Sequence, residues 1–234
     1  MQQVCYAKQP IMPRLLPVSS TIILVRSWRC FAYKRIPEVR RRLQTVTNER
    51  KHIVSLKTRA TIEDLYKVEG KAELVNGEIV HMPPAGEDPG IAGGQIFVSL
   101  HQYTSNTKRG RALPDGVGFR VNLPHRESFS PDVAYHIGPR AGMRFAAGAP
   151  VFAVEVRSEN DYGPAAERDM QAKREDYFAC GTLVVWDVDL LSPDVIRVYR
   201  ASDPDHPTIY RRGAIAEAEP AVPGWRMLVD DLFM

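Results

Sequence analysis

The sequence has few cysteines and no long apolar run, and both absences restrict the kind of protein that it encodes. Its 234 residues contain three cysteines, Cys5, Cys30 and Cys180. Their wide spacing forms neither a zinc-ligand pattern nor a disulfide framework, so a reducing, cytoplasmic location is expected. No apolar segment approaches the roughly 20 residues that a membrane-spanning helix needs. We therefore expect no membrane association.

Acidic residues are nearly absent from the first quarter of the chain. Residues 1–57 contain 12 Lys/Arg and 2 Asp/Glu, whereas residues 58–234 contain 19 and 26. The first segment shows no sustained hydrophobic period, which predicts a basic, disordered leader followed by one domain over residues 58–234. Three interpretations of the leader stay open: an arm that binds nucleic acid, an Arg-rich transit peptide, or a functionless leader translated from a misassigned start codon.

Two local signals mark the beginning of the predicted domain. Thr61 is a candidate N-cap for a short helix, because acidic residues follow it in the first turn. The segment KAELVNGEIVHM contains two apolar runs joined by Asn76-Gly77. An Asn-Gly pair between such runs is a strong signal for a two-residue turn, so this segment predicts a β-hairpin.

The remaining pattern predicts a mixed α/β fold. A helix is predicted in IAGGQIFVSLHQYTSN, with core positions at Ile91, Phe97, Leu100 and Tyr103, and a second in GPAAERDMQAKREDYFACG. Strands are predicted in GVGFRVNL, SPDVAYHI, VFAVEVRS, TLVVWDVD, DVIRVYRA and TIYRRG, and a short closing helix in WRMLVDDLF. This order indicates a central mixed sheet flanked by helices, with an extra N-terminal hairpin.

A carboxylate lies within one of the apolar strands. Glu155 interrupts VFAVEVRS, and burying its charge costs several kcal/mol unless a cation or hydrogen-bond donors satisfy it. Alternate residues share a face, so an internal ion pair with Arg157 is one explanation. Asp132 at the start of SPDVAYHI offers another. Two converging carboxylates raise each other's pKa unless a cation lies between them, and Mg²⁺ or Mn²⁺ prefers such oxygen ligands.

The helix after this strand carries a lysine near its apolar stripe. Ala166, Met170 and Tyr177 form the stripe, and Lys173 falls on its edge. A lysine aimed at a core needs a carboxylate or an anionic ligand, although snorkelling to solvent or an i,i+4 pair with Asp169 would also explain it. Two carboxylates, a divalent metal and a lysine are the components of phosphodiester hydrolysis.

These motifs resemble a known superfamily. The order SPDVAY, FAVEVRS, DMQAKREDYFACG, VVWDVD resembles the PD-(D/E)XK nucleases, in particular their branch of small standalone restriction-endonuclease-like proteins, and the likeness extends over residues 58–234. The resemblance implies a restriction-endonuclease-like fold, a homodimer, and a Mg²⁺- or Mn²⁺-dependent endonuclease acting on DNA. It also implies metal ligands at Asp132 and Glu155 and an accessory acid at Glu73.

The chain departs from the superfamily pattern at one position. The lysine expected two residues after the glutamate is replaced by Arg157. In this branch the lysine comes instead from the following helix, which implies Lys173. Arg157 stays a second candidate for the role, although a guanidinium cannot act as a base and is bulkier than an ammonium.

A catalytically silent relative that serves as a binding or assembly module is the alternative function. The acidic balance of residues 58–234 favours it, because contacts to DNA phosphates require Lys or Arg. The basic segment Thr107–Arg111 and the basic leader are the candidates that would compensate for this acidity.

Overall fold

A six-stranded mixed β-sheet forms the centre of the fold in the computed structural model, which describes residues 58–234. The predicted leader, Cys5 and Cys30 lie outside the described residues. The helices are α1 (Ile62–Leu65), α2 (Glu87–Thr107) and α3 (Pro164–Ala179), and a 3-10 helix covers Val229–Phe233. The strands are β1 (Ala72–Val75), β2 (Glu78–His81), β3 (Arg111–Leu113), β4 (Phe119–Arg120), β5 (Ser128–Phe129), β6 (Val133–His136), β7 (Ala146–Ala147), β8 (Phe152–Val156), β9 (Val184–Val188), β10 (Ile196–Arg200), β11 (Asp203–Tyr210), β12 (Ile215–Glu217) and β13 (Arg226–Leu228).

The central sheet has the strand order β11-β10-β9-β8-β6-β3. Strands β8 and β9 are parallel and the other neighbours are antiparallel. The parallel pair is joined by a crossover that contains α3, as parallel strands require. Strand β3 lies at one edge of the sheet. The predicted α/β class, with helices flanking a mixed sheet, is confirmed.

The two faces of the sheet bury separate cores. On one face, Phe152, Val154 and Trp186 pack with side chains of α2 and with Trp225 near the C-terminus. On the other face, Ala153 and Val185 pack with Tyr177 of α3. This alternation follows from the pleat, which directs successive side chains to opposite faces. Both faces of β8 are therefore covered, and a charged side chain on it needs partners within the protein.

The N-terminal hairpin is confirmed. Strands β1 and β2 pair around Asn76 and Gly77, whose φ angles are 55° and 74°. Positive φ at both turn positions matches the right-handed twist of the strands, which is why Asn-Gly is favoured there. The hairpin is tied to the body by Leu74, whose N–H donates to Ser128 Oγ at 2.8 Å. Thr61 caps α1 as predicted and forms a capping box with Asp64.

Two details of the predicted elements are wrong. Ile91 is 39% exposed, because the buried stripe of α2 consists of Ala92, Ile96, Leu100 and Thr104 at i, i+4 spacing. The segment WRMLVDDLF is only partly helical: β13 pairs with β12 first, and the 3-10 helix follows. No helix within residues 58–234 is both long and apolar enough to cross a membrane.

Candidate active site

The ends of β6 and β8 bring two of the predicted acids together. Val133 pairs with Val154, which places Asp132 and Glu155 beside each other at one end of neighbouring strands. Asp132 Oδ2 accepts a hydrogen bond from the N–H of Val156 at 2.7 Å, so its carboxylate is held against the end of β8.

Helix α3 supplies a cation and a hydroxyl to Glu155. Lys173 Nζ lies 2.9 Å from Glu155 Oε2, and the hydroxyl of Tyr177 donates to Oε1 at 2.7 Å. Burial raises the pKa of Glu155; Lys173 opposes this, while the negative charge of Asp132 adds to it. Lys173 pairs with this acid rather than with Asp169 or solvent, and its side chain is only 15% exposed.

The hairpin contributes the third predicted acid. Glu73 on β1 is buried, and its Oε1 lies 3.1 Å from Lys173 Nζ and 2.8 Å from the N–H of Ser130. Its other oxygen accepts from Arg126 at 2.5 Å. Burial alone would raise the pKa of Glu73, but Lys173 and Arg126 outweigh it and lower that pKa. Glu73 therefore stays ionised and shares the ammonium of Lys173 with Glu155.

Arg157 lies on the same face as Glu155 but binds other acids. Its guanidinium contacts both carboxylate oxygens of Asp187, at 2.7 and 2.8 Å, and also the carboxylate of Glu167. Asp187 pairs with Glu155 in the parallel register of β8 and β9, so it lies within reach of the arginine on the same face. The ion pair between Glu155 and Arg157, which was one of the two explanations for the buried acid, does not form within residues 58–234. The hydrogen bonds that Arg157 donates to Asp187 and Glu167 raise its pKa and hold its guanidinium away from Glu155.

The geometry therefore joins Glu73 of β1 and Glu155 of β8 to Lys173 of α3, and it places Asp132, just before β6, beside Glu155. The sequence profile of the Uma2 family, described as "Putative restriction endonuclease", matches residues 60–230. The chain belongs to the Uma2 family. This confirms the resemblance to restriction-endonuclease-like proteins and supports a nuclease activity at the level of the family.

A solved structure shares the Uma2 fold of this chain. It is a crystal structure from Anabaena variabilis, described as a "putative nuclease belonging to DUF820", with a TM-score of 0.58 and 17% sequence identity. The alignment covers 74% of this chain and 97% of the other. No curated protein matches the sequence. At this identity, the likeness concerns the fold alone.

The Uma2 domain places two further charged residues at the site that the sequence did not single out. Lys71 Nζ lies 2.6 Å from Asp132 Oδ1 and 2.6 Å from Asp115 Oδ1. Burial lowers the pKa of Lys71, but Asp132 and Glu155 outweigh it and keep the ammonium charged. The sequence could have indicated Lys71, because this residue precedes Glu73 by two positions and therefore lies on the same face of the strand. It could not have indicated Asp115, because the Pro114-Asp115 dipeptide precedes no strand that contains a glutamate.

An open cleft lies beside Asp132. It has a volume of about 190 Å³ and is lined by Asp115 and Asp132 from the sheet side and by Gly90, Gly93 and Gly94 of α2. We call it the acidic cleft. A Cβ atom placed on any of these three glycines would meet no heavy atom within 4 Å, so this side of α2 presents bare backbone to an empty space. A bulky substrate can approach closely there.

The residues present suit a small hard cation. Mg²⁺ typically takes one or two protein carboxylates and completes its shell with water and substrate phosphates. Asp132 and Glu155 supply that number, and the ammonium of Lys71 already occupies a cationic position against Asp132. No cluster of three or more His, Cys, Asp or Glu side chains suitable for a metal occurs within residues 58–234. The chain therefore fits a two-carboxylate site and not an all-protein cage.

Proposed function

We propose that this protein is an endonuclease that hydrolyses phosphodiester bonds in DNA with Mg²⁺ or Mn²⁺ held by Asp132 and Glu155. The observation that supports this most strongly is the position of Lys173, which lies between Glu155 and Glu73 while Asp132 stands beside Glu155. Lys173 is thus a charged group held by two buried carboxylates, one of which is a proposed metal ligand, so its ammonium lies next to the proposed metal position. The homodimer and the cytoplasmic location stay predictions.

Each side chain has a separate task in this proposal. A bound divalent cation polarises the phosphate and makes water a stronger nucleophile at neutral pH. Burial opposes the charge of Lys173, but Glu155 and Glu73 outweigh it and raise its pKa, so Lys173 acts as a fixed positive charge and not as a base. Such a charge stabilises the negative charge that develops on the phosphorus oxygens. Tyr177 and Glu73 orient Glu155 and Lys173 for these tasks.

The catalytically silent binding module is the second candidate, and one observation favours it. Both oxygens of Asp132 and both oxygens of Glu155 already have partners: Lys71 and the Val156 N–H for the first acid, Lys173 and Tyr177 for the second. A closed set of ion pairs of this kind satisfies the charges without a metal. The two functions then differ in whether a divalent cation displaces a protein cation from these oxygens.

A cleavage assay separates the two functions. Purified full-length protein is incubated with supercoiled plasmid, linear duplex DNA, single-stranded DNA and RNA, each with Mg²⁺, Mn²⁺ or EDTA. We expect nicking or linearisation of the plasmid with either metal and none in EDTA. Cleavage of RNA alone would reassign the substrate. Intact substrates under every metal would favour the silent module.

Lys71 provides a prediction about metal affinity. Its ammonium must leave Asp132 Oδ1 before a cation can use that oxygen, so it competes with the metal. Lys71→Met is therefore expected to tighten Mn²⁺ binding by about tenfold, or about 1.4 kcal/mol. Isothermal titration calorimetry measures the change, with Lys67→Met as the matched control because Lys67 pairs with Asp64 at the surface. Unchanged or weaker Mn²⁺ binding in Lys71→Met would contradict the competition.

A further inference from the structure

A second groove follows the outer edge of the central sheet. It has a volume of about 410 Å³ and is lined by β3, by the C-terminal part of α2 and by the loop after β6. We call it the edge groove. Its charged and titratable lining residues are His101, Arg111, Arg140 and Arg144, and no aspartate or glutamate lines it. This is the opposite polarity to that of the acidic cleft.

The positive charge at the edge groove is largely uncompensated. Most lysines and arginines of the described part of the chain pair with a carboxylate. Arg111 instead donates to the main-chain oxygens of Gly138 and Pro139, at 2.8 and 3.3 Å, which fixes its guanidinium without neutralising it. Arg140 is exposed and has no carboxylate partner within residues 58–234. Arg144 lines the groove as well but shares its charge with Glu63.

Two more unpaired cations, Lys108 and Arg109, lie between α2 and β3. Cations are favoured at a helix C-terminus, which alone explains these two residues. It does not explain Arg140, which comes from the loop after β6 and has no helix end beside it in the chain. Arg111 and Arg140, from two separate segments, therefore line one groove, and Lys108 and Arg109 precede Gly110 of its lining. The overall charge of the surrounding domain is negative.

Strand β3 connects the edge groove to the acidic cleft. Arg111 begins β3, and Asp115 follows its end and lines the cleft. The four residue steps from Arg111 to Asp115 span about 13 Å at about 3.3 Å per step. A strand of B-DNA advances about 3.4 Å per nucleotide, so the same distance corresponds to about four nucleotides. As the outermost strand of the sheet, β3 has no neighbouring strand within the described residues that would cover this path.

We propose that the edge groove binds the phosphodiester backbone of a nucleic acid about four nucleotides from the acidic cleft. This inference rests on the proposed function, since it assigns a second contact to the same substrate. Phosphate contacts carry most of the affinity of a protein for nucleic acid, and arginine matches phosphate oxygens in geometry and charge. The edge groove thus supplies the attraction that the acidic body lacks.

Charge reversal on the exposed arginines tests the edge groove. Two full-length variants are compared with wild type: Arg140→Glu alters a residue that lines the groove, and Arg109→Glu alters the exposed residue next to Gly110 of the lining. Binding to a fluorescently labelled DNA duplex is measured in EDTA, so that binding is separated from cleavage. Each arginine that contacts a phosphate contributes about 0.9 to the slope of log K against log salt. Each variant is therefore expected to lose about one unit of slope and about eightfold in affinity near 0.1 M salt. An RNA duplex of the same sequence, measured in parallel, shows whether the groove reads the backbone of both polymers or of one.

Arg226→Glu is the matched control, because Arg226 is an exposed arginine on β13 with no ion pair to a described residue. It changes the net charge equally, and residues 1–57 are the same in every protein compared. Equal slopes of log K against log salt for wild type, the two arginine variants and the control would contradict the proposal that the edge groove binds nucleic acid. The absence of DNA binding by wild type would contradict it as well. Loss of binding in the groove variants without cleavage by wild type under any metal would uphold the groove and reject the proposed hydrolysis. Cleavage by wild type together with unaltered DNA binding in the two arginine variants would uphold the proposed hydrolysis and reject the edge groove as a binding site.

Discussion

Asp132→Asn is expected to lower DNA cleavage at least about 10³-fold, which corresponds to about 4 kcal/mol of transition-state stabilisation. The substitution removes the charge that a divalent cation requires but keeps the size of the side chain. The amide oxygen can still accept the hydrogen bond from the Val156 N–H, so the end of β8 keeps its position. The loss should therefore concern the chemistry and not the fold.

The initial rate of plasmid nicking in Mn²⁺ measures this loss, and circular dichroism verifies that the variant is folded. Asp194→Asn is the matched control, because Asp194 also follows a proline near the start of a strand but pairs with Arg211 near the surface. It should cleave at the rate of wild type. Full activity in Asp132→Asn would remove this aspartate from the proposed site.

Lys173→Met is expected to lower cleavage about 10²-fold, or on the order of 3 kcal/mol, because it removes a preorganised positive charge from the transition state. The substitution also leaves Glu155 and Glu73 without their shared cation, which destabilises the protein. Rates must therefore be compared per folded molecule, below the melting transition of the variant. Lys173→Arg keeps the charge and should recover most of the stability, while its planar, bulkier group should leave cleavage low.

The substitution Arg157→Met tests whether Arg157 serves in catalysis, in place of the lysine, or only stabilises the fold. It removes the bidentate partner of the fully buried Asp187 and leaves Arg174, at 3.5 Å, as the remaining cation, so the free energy of unfolding should fall by about 3 kcal/mol. The folded fraction should still cleave DNA at a rate near that of wild type, since Arg157 contacts neither Glu155 nor Asp132. Normal cleavage by Lys173→Met together with inactive, folded Arg157→Met would assign the lysine role to the arginine instead.

Local sequence patterns predicted much of the fold and the central residues of the candidate site. The Asn76-Gly77 pair predicted the hairpin because few other residues adopt positive φ in succession. The stripe that includes Tyr177 predicted the inward direction of Lys173, since the helix period fixes which side chains share a face. The strand pattern around Glu155 required a compensating charge, and the structure provides it.

Local sequence patterns could not predict the ion-pair partners of Arg157 and Lys71. Arg157 contacts Asp187 because β8 and β9 are parallel and in a particular register, and register across a crossover is a tertiary property. Lys71 contacts Asp132 because the hairpin docks against the sheet, although the two residues are 61 positions apart in the chain. The placement of Ile91 was wrong for a related reason. The sheet decides which stripe of α2 is buried, and the small Ala92 fits against it where a larger neighbour was expected.

The most direct test of the proposed metal site is a calorimetric titration of Mn²⁺ into wild type and Asp132→Asn, with Asp194→Asn measured alongside. Binding is read without substrate, so the result does not depend on finding the correct nucleic acid. We predict one Mn²⁺ site in wild type and in Asp194→Asn, and loss of that site in Asp132→Asn. Equal Mn²⁺ affinity in all three proteins, or no binding in any of them, would contradict a cation shared by Asp132 and Glu155.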